Sequence, residues 1–311
     1  EQAVGGNKAE IVLGSETSYA VDMGTLDGNV VKATIGGKAV SYADGKVTLD
    51  FDFKNRLIKH GEQTLTVTVE KDGQYTNYNK EVLIVTKEIS SFNELKSVIS
   101  CEANRAKFGY YRLTENIQSS DWFTSEYADD SNVWNANLRS NPELGFRGTF
   151  DGNGKTISSW FYRGGLFGVV GNGAVIKNLT INNKQYQGGN GNFNTLFGYS
   201  MMGATMDKVT INILKGGKAD IATNAAGGLL TCLGGYGNTL KNVTINAKGL
   251  AIDTLFGTGC WFTYPKDYAP NTFENCFITA KSLVGLACTD NANKIVTPYE
   301  NVSGLTVTLG A

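Results

Sequence analysis

The chain has 311 residues, a formal net charge of -1 and 18% charged residues, against the quarter typical of soluble domains. That length accommodates two domains with a buried core each, and the near-neutral charge, without basic patch or tail, argues against nucleic acid or anionic membrane as partners. Glycine is abundant at 38 residues and proline scarce at 4, which suits tight turns between short strands, and no apolar run approaches the ~20 residues of a spanning helix.

The first residues, Glu1-Gln2-Ala3-Val4-Gly5-Gly6, carry no Met, no basic segment and no apolar segment, so the sequence reads as a processed or excised piece without its leader. Residues 1–88 then alternate apolar and polar positions, as in Lys46-Val47-Thr48-Leu49-Asp50 and Thr64-Leu65-Thr66-Val67-Thr68-Val69. Gly36-Gly37, Asp44-Gly45 and Asp72-Gly73 are turn dipeptides between such runs. About seven strands at this spacing predict a β-sandwich, and the stretch resembles the immunoglobulin-like modules of bacterial surface proteins. The one histidine, His60, lies between Lys59 and Gly61 and reads as a surface or turn residue with no metal or catalytic partner.

A single helix follows over 91–103. Ser91 and Glu94 have capping-box spacing, and Phe92, Leu95, Val98 and Ile99 share one face. This helix is expected to cap the open end of the domain at 89–311, whose strand edges and apolar interior need a cover.

From about residue 165 the chain repeats. Gly165-Leu166-Phe167-Gly168 returns as Thr195-Leu196-Phe197-Gly198, Gly228-Leu229-Leu230-Thr231, Thr254-Leu255-Phe256-Gly257 and Ser282-Leu283-Val284-Gly285. Independently, Lys177-Asn178-Leu179-Thr180-Ile181 returns as Asp207-Lys208-Val209-Thr210-Ile211, Lys241-Asn242-Val243-Thr244-Ile245, Glu274-Asn275-Cys276-Phe277-Ile278 and Glu300-Asn301-Val302. Two elements drifting together around a period of about thirty, with β-branched residues and glycine corners, predict a parallel β-helix. Asn178, Asn242, Asn275 and Asn301 would stack at one bend, each amide turned inward and bonding the next, with Lys208 interrupting the row. Asn178-Leu179-Thr180, Asn242-Val243-Thr244 and Asn301-Val302-Ser303 are also glycosylation sequons, and their shared repeat position assigns them a structural role instead. The last repeat has no capping element after it, so further domains of the same polypeptide are expected.

Upstream, Arg112-Leu113-Thr114-Glu115-Asn116-Ile117 leads to Phe150-Asp151-Gly152-Asn153-Gly154-Lys155-Thr156-Ile157. Joined to the first repeat, this resembles the GLUG-type right-handed parallel β-helix of secreted bacterial surface proteins, a pectate-lyase-like solenoid. The resemblance implies an all-β protein, with an N-terminal Ig-like β-sandwich followed by that helix and its capping α-helix. It also implies an extracellular or cell-surface location and a role in adhesion or carbohydrate binding.

Catalytic candidates are weak. Polygalacturonase-like sites use a Gly-His-Gly that the repeats lack, the Asp129-Asp130 pair precedes the repeats, and Thr289-Asp290-Asn291 stands alone. Pectate-lyase-like sites need clustered Asp for calcium beside an Arg base, and no acidic cluster recurs near Arg139, Arg147 or Arg163. Asp151-Gly152-Asn153-Gly154 has too few ligand-type side chains for a calcium loop and reads as a turn. The five cysteines, Cys101, Cys232, Cys260, Cys276 and Cys288, form no zinc spacing and read as buried thiols, with Cys260 and Cys288 stacked on adjacent rungs as a thiol ladder or, alternatively, a disulfide. No catalytic residue, metal or cofactor is therefore assigned.

Aromatics in two long polar excursions remain as binding candidates: Trp122, Tyr127 and Trp134 in the first, and Trp261, Tyr264 and Tyr268 in the second. The expected function is a non-catalytic surface module that binds glycan or a host or cell-surface protein, without membrane insertion. The alternatives are a polysaccharide-acting β-helix lyase or glycosidase with a divergent site, and a phage or particle-surface fibre module.

Overall fold

The computed structural model describes residues 2–3, 8–50, 59–99, 108–123, 145–161, 166–183, 196–214, 228–257, 270–290 and 295–310. Strands dominate, with a single short helix among the described residues, and the chain divides into two compact units. One comprises Glu1–Glu88 with Gly109–Tyr111, the other Ile89–Phe108 with Arg112–Ala311. The first unit thus takes in three residues assigned by sequence to the second. Tyr110 packs with Leu83 and Val85, and its N–H donates to Thr86 Oγ1 at 2.8 Å.

In the first unit the turn dipeptides act as read. Ile35 pairs Lys38, Ala43 pairs Lys46 and Lys71 pairs Gln74, so each hairpin closes through two residues. Both loop residues have positive φ in every case: 52° and 80° at Gly36 and Gly37, 50° and 77° at Asp44 and Gly45, 53° and 76° at Asp72 and Gly73. That geometry matches the right-handed twist of the flanking strands, and Gly and Asp tolerate it. The long hairpin Gly61–Lys71 with Gln74–Val85 anchors a six-stranded sheet. Ser18–Asp22, Lys46–Asp50 and Ser41–Ala43 form a separate three-stranded sheet. Ile35, Leu65, Val67 and Ile84 from the first sheet and Val21, Val47 and Leu49 from the second share one buried cluster. Period-two alternation supplies both inner faces of that core.

His60 departs from its surface assignment. The ring is half-buried, with Nδ1 2.7 Å from Thr86 Oγ1. Thr86 Oγ1 therefore serves both the imidazole and the Tyr110 N–H.

The described helix spans Phe92–Ile99 within the expected 91–103, of which 100–103 lie outside the described residues. Ser91 Oγ accepts from Glu94 N–H at 3.3 Å, but the Glu94 carboxylate reaches back to Ser90 N–H at 2.7 Å rather than to Ser91. Leu95 and Val98 are buried, as the shared face requires.

The second unit is built on a long parallel sheet, an arrangement consistent with a β-helix. Its rungs pair in strict register: Ile157 with Ile181, Ile181 with Ile211, Ile211 with Ile245, Ile245 with Ile278, and Ile278 with Val307. The isoleucines of this row are at most 2% exposed, so each packs on its like above and below, about 4.8 Å away. Leu179, Val209, Val243 and Cys276 form a second inward row, and Phe150, Ile176, Met206 and Leu240 a third.

A second parallel sheet joins Gly168–Val170, Gly198–Met202 and Thr231–Tyr236. Beside it Leu166, Leu196 and Leu229 follow one another through backbone hydrogen bonds, and Phe167 stacks on Phe197 with centroids 5.9 Å apart. The fifth member of that row is Leu286, whose carbonyl accepts from Leu255 and Phe256 N–H, and not Leu283. Leu283 instead ends the strand Cys276–Leu283 opposite Ile252. A register shift between Ala247 and Ala251 displaces the repeat there. Cys288 accordingly donates its N–H to Phe256 O at 2.9 Å, and its expected stacking partner Cys260 lies outside the described residues.

Candidate binding surface

The face of the long parallel sheet that points away from its interior carries polar residues in aligned columns. One column runs Thr156, Thr180, Thr210, Thr244, Phe277 and Thr306. Two residues along each strand, a second runs Ser158, Asn182, Asn212, Asn246, Thr279 and Thr308. The alternation is forced: with the intervening isoleucine inside, both neighbours point out. Asn246 Nδ2 donates to Asn212 Oδ1 at 2.8 Å, and Asn212 Nδ2 to Asn182 Oδ1 at 2.9 Å, so the amides are held in one orientation. On the three rungs 180–182, 210–212 and 244–246 a hydroxyl stands beside an amide, and Phe277 interrupts the hydroxyl column on the next. The sequence signal is the Thr-Ile-Asn triplet at 180–182, 210–212 and 244–246, which contains none of the candidate aromatics.

A charged column stands on the same face, just before the bend. Asp151 pairs Lys177, Lys177 pairs Asp207, Asp207 pairs Lys241 and Lys241 pairs Glu274, alternating in sign through five rungs. Lys241 Nζ lies 3.8 Å from Glu274 Oε2, an exposed pair of small individual worth.

The bend asparagines differ from their expected inward ladder. Asn178, Lys208, Asn242 and Asn275 do occupy one register position, each with φ between 51° and 55°. This is the left-handed region, in which Asn is the most tolerant side chain after Gly. Asn242 and Asn275 are exposed, however, and Asn178 is half-buried. Their amides lie along the outer surface: Asn275 Nδ2 donates to Asn242 Oδ1 at 2.8 Å, Asn242 Nδ2 to Asp207 Oδ1 at 3.1 Å, and Asn178 Nδ2 to Asp151 Oδ1 at 3.2 Å. Asn301 is not in the row, because Leu305 pairs Cys276 and the bend register falls on Gly304. The buried amide lies at a different corner, where Asn238 meets the half-buried Asn271. Asn238, fully buried, donates to Asn271 Oδ1 at 3.0 Å and to Met201 O at 2.8 Å, and Asn271 Nδ2 donates to Gly235 O at 2.9 Å.

Of the aromatic candidates, only Trp122 lies in a described strand, Ile117–Phe123, where its backbone pairs Trp160. Tyr127, Trp134, Trp261, Tyr264 and Tyr268 lie outside the described residues, as do Asp129, Asp130, Arg139, Arg163 and Cys260. Arg147 donates from Nε to Asn172 O at 3.0 Å and its guanidinium carbon lies 4.9 Å from the Phe108 ring centroid. In the Asp151–Gly154 segment, Asp151 Oδ1 accepts from Asn153 N–H at 2.8 Å and Asn153 Nδ2 donates to Leu113 O at 3.1 Å. Those groups are turned to internal hydrogen bonds.

Among the described residues no group of three or more His, Cys, Asp or Glu is placed to hold a metal ion. Burial pushes the Cys276 thiol up, and it donates to Leu240 O at 3.2 Å; burial likewise pushes the Tyr236 phenol up. Cys288 is a reduced, buried thiol. No described helix is long and apolar enough to cross a membrane.

No family model and no solved structure matches the chain. It is similar to halomucin of Haloquadratum walsbyi, with 28% identity over 173 residues. The matched segment covers 54% of this chain and only 2% of that protein's length.

Proposed function

We propose that this chain is a non-catalytic module of an exported surface protein, in which an Ig-like sandwich accompanies a right-handed parallel β-helix, capped by the helix Phe92–Ile99, that binds glycan. The observation that carries this reading is the outer face with aligned hydroxyl and amide columns, Thr180, Thr210 and Thr244 beside Asn182, Asn212 and Asn246. Neutral donors and acceptors repeated at the rung spacing suit a ligand that is itself a neutral polymer of hydroxyl groups. The similarity to halomucin supports an extracellular location.

The test is retention of the whole chain on immobilised neutral and acidic polysaccharides, with reducing ends and unsaturated products followed over the same hours. Retention on neutral polysaccharide, lost in a Thr210→Lys, Thr244→Lys double variant that keeps the parent melting temperature, is the expected result. Sustained product release would make the chain a polysaccharide-acting enzyme. Retention only by a protein partner would leave a surface module without the glycan.

A further inference from the structure

Three sequons occur in the chain, and the register separates them. At Asn178 and Asn242 the sequon begins on the bend and its threonine, two residues on, is half-buried within a paired segment: Thr180 pairs Thr210, and Thr210 pairs Thr244. The Asn178 amide is half-buried and donates to Asp151, and the Asn242 amide is engaged at both ends, donating to Asp207 and accepting from Asn275. A glycosyl acceptor must swing its amide nitrogen free and present the hydroxyl two residues on in the same turn. Neither of these sequons does so without breaking the strand stack.

Asn301 is different in each respect. It lies in a turn, with φ 58°, three residues ahead of the bend register that Gly304 fills. Its side chain is exposed and has no hydrogen-bond partner among the described residues. Ser303, which supplies the sequon hydroxyl, is exposed as well, in the adjoining turn that Leu305 N–H closes on Val302 O. The structural role expected for all three sequons therefore does not extend to this one.

We propose that Asn301 is the N-glycan acceptor of the folded chain, and that Asn178 and Asn242 are not modified. The donor is an oligosaccharide linked through phosphate to a polyprenol or dolichol. Asn301 Nδ2 forms a bond to C1 of the first sugar, the C1–O bond to the lipid phosphate breaks with its electron pair leaving on phosphate, and Nδ2 gives up one proton.

The test incubates the folded 311-residue chain with an archaeal single-subunit oligosaccharyltransferase and dolichyl-phosphate-linked oligosaccharide, followed by intact mass and site mapping. Synthetic peptides spanning each sequon serve as unfolded controls. The expected result is one glycan per chain, at Asn301, with all three peptides modified. Ser303→Ala keeps Asn301 in its turn and should abolish the mass shift, which guards against a misfolded Asn301→Gln. A glycan on Asn178 or Asn242 of the folded chain would overturn the proposal, as would an unmodified Asn301 in the folded chain when its peptide is modified.

Discussion

Gly304 and Gly152 show how little room the bends leave. A Cβ at Gly304, where φ is 77°, would overlap the Phe273 carbonyl oxygen of the preceding rung, and one at Gly152 would overlap Asn178 O and the Leu179 Cα. Both contacts are with backbone, which cannot rotate away as a side-chain tip does. Gly304→Ala and Gly152→Ala are each expected to cost about 2 kcal/mol or more, in the range of forced overpacking. Urea denaturation of the two variants checks this, with Gly154→Ala as a comparison site where strain without overlap gives a smaller loss. Cys276 carries a pH signature. Its thiol is raised by burial in the folded state, so the native chain holds the proton more tightly than the unfolded one. That contribution is complete below the unfolded thiol's pKa, about 8.5, and is lost as pH rises toward the folded value. Stability is therefore expected to fall across the alkaline side of pH 8.5 in the parent and to fall less in Cys276→Ala, measured by urea midpoints at each pH.

The elements owe their form to patterns a few residues long. Hairpins close where Asp-Gly or Gly-Gly supplies two positive-φ residues, and the helix starts where Ser91 caps Glu94. In the helix, Leu95 is fully buried, and Leu95→Ala is expected to destabilise by about 2–5 kcal/mol through lost burial and the cavity left behind. If thermal melting of that variant matched the parent, the helix would be an ornament rather than part of the core. Along the charged column, Lys177→Asp would set three carboxylates on neighbouring strands, at 151, 177 and 207. Each like-charged contact costs up to about 1 kcal/mol. The loss should shrink in high salt, where exposed charges are screened, and a salt-independent loss would point to packing instead.

At the scale of the molecule, each rung is stabilised by its neighbours above and below, and so a defect in the middle is felt on both sides. Ile211 touches this most directly, paired to Ile181 and Ile245 and fully buried. Ile211→Ala is expected to cost about 2–5 kcal/mol, read from denaturant midpoints. The alternating charges along Asp151, Lys177, Asp207, Lys241 and Glu274 also bear on assembly, because near-identical rungs invite mispairing. Pairing that skipped one rung would set Lys177 against Lys241 or Asp207 against Glu274.

By itself the sequence determined the all-β class, the turn dipeptides, the cap at Ser91 and the thirty-residue recurrence. Each of these is a short-range pattern whose geometry follows from φ preferences and the two-residue period of a strand. What only the tertiary structure decided was register. Leu283 and Leu286 are equally good leucines, and a bulge between Ala247 and Ala251 on the neighbouring strand selects the second for the stacked row. Asn301 repeats the letters of Asn275, yet the pairing of Leu305 with Cys276 places Gly304 at the bend and Asn301 outside it. The outward direction of the bend amides, the partnership of His60 with Thr86, and the bond of buried Asn238 to Asn271 are likewise fixed between segments far apart in the chain. A motif read along one strand carries no record of which residue of another strand will lie against it, and that partner decides whether an amide is tied, buried or free.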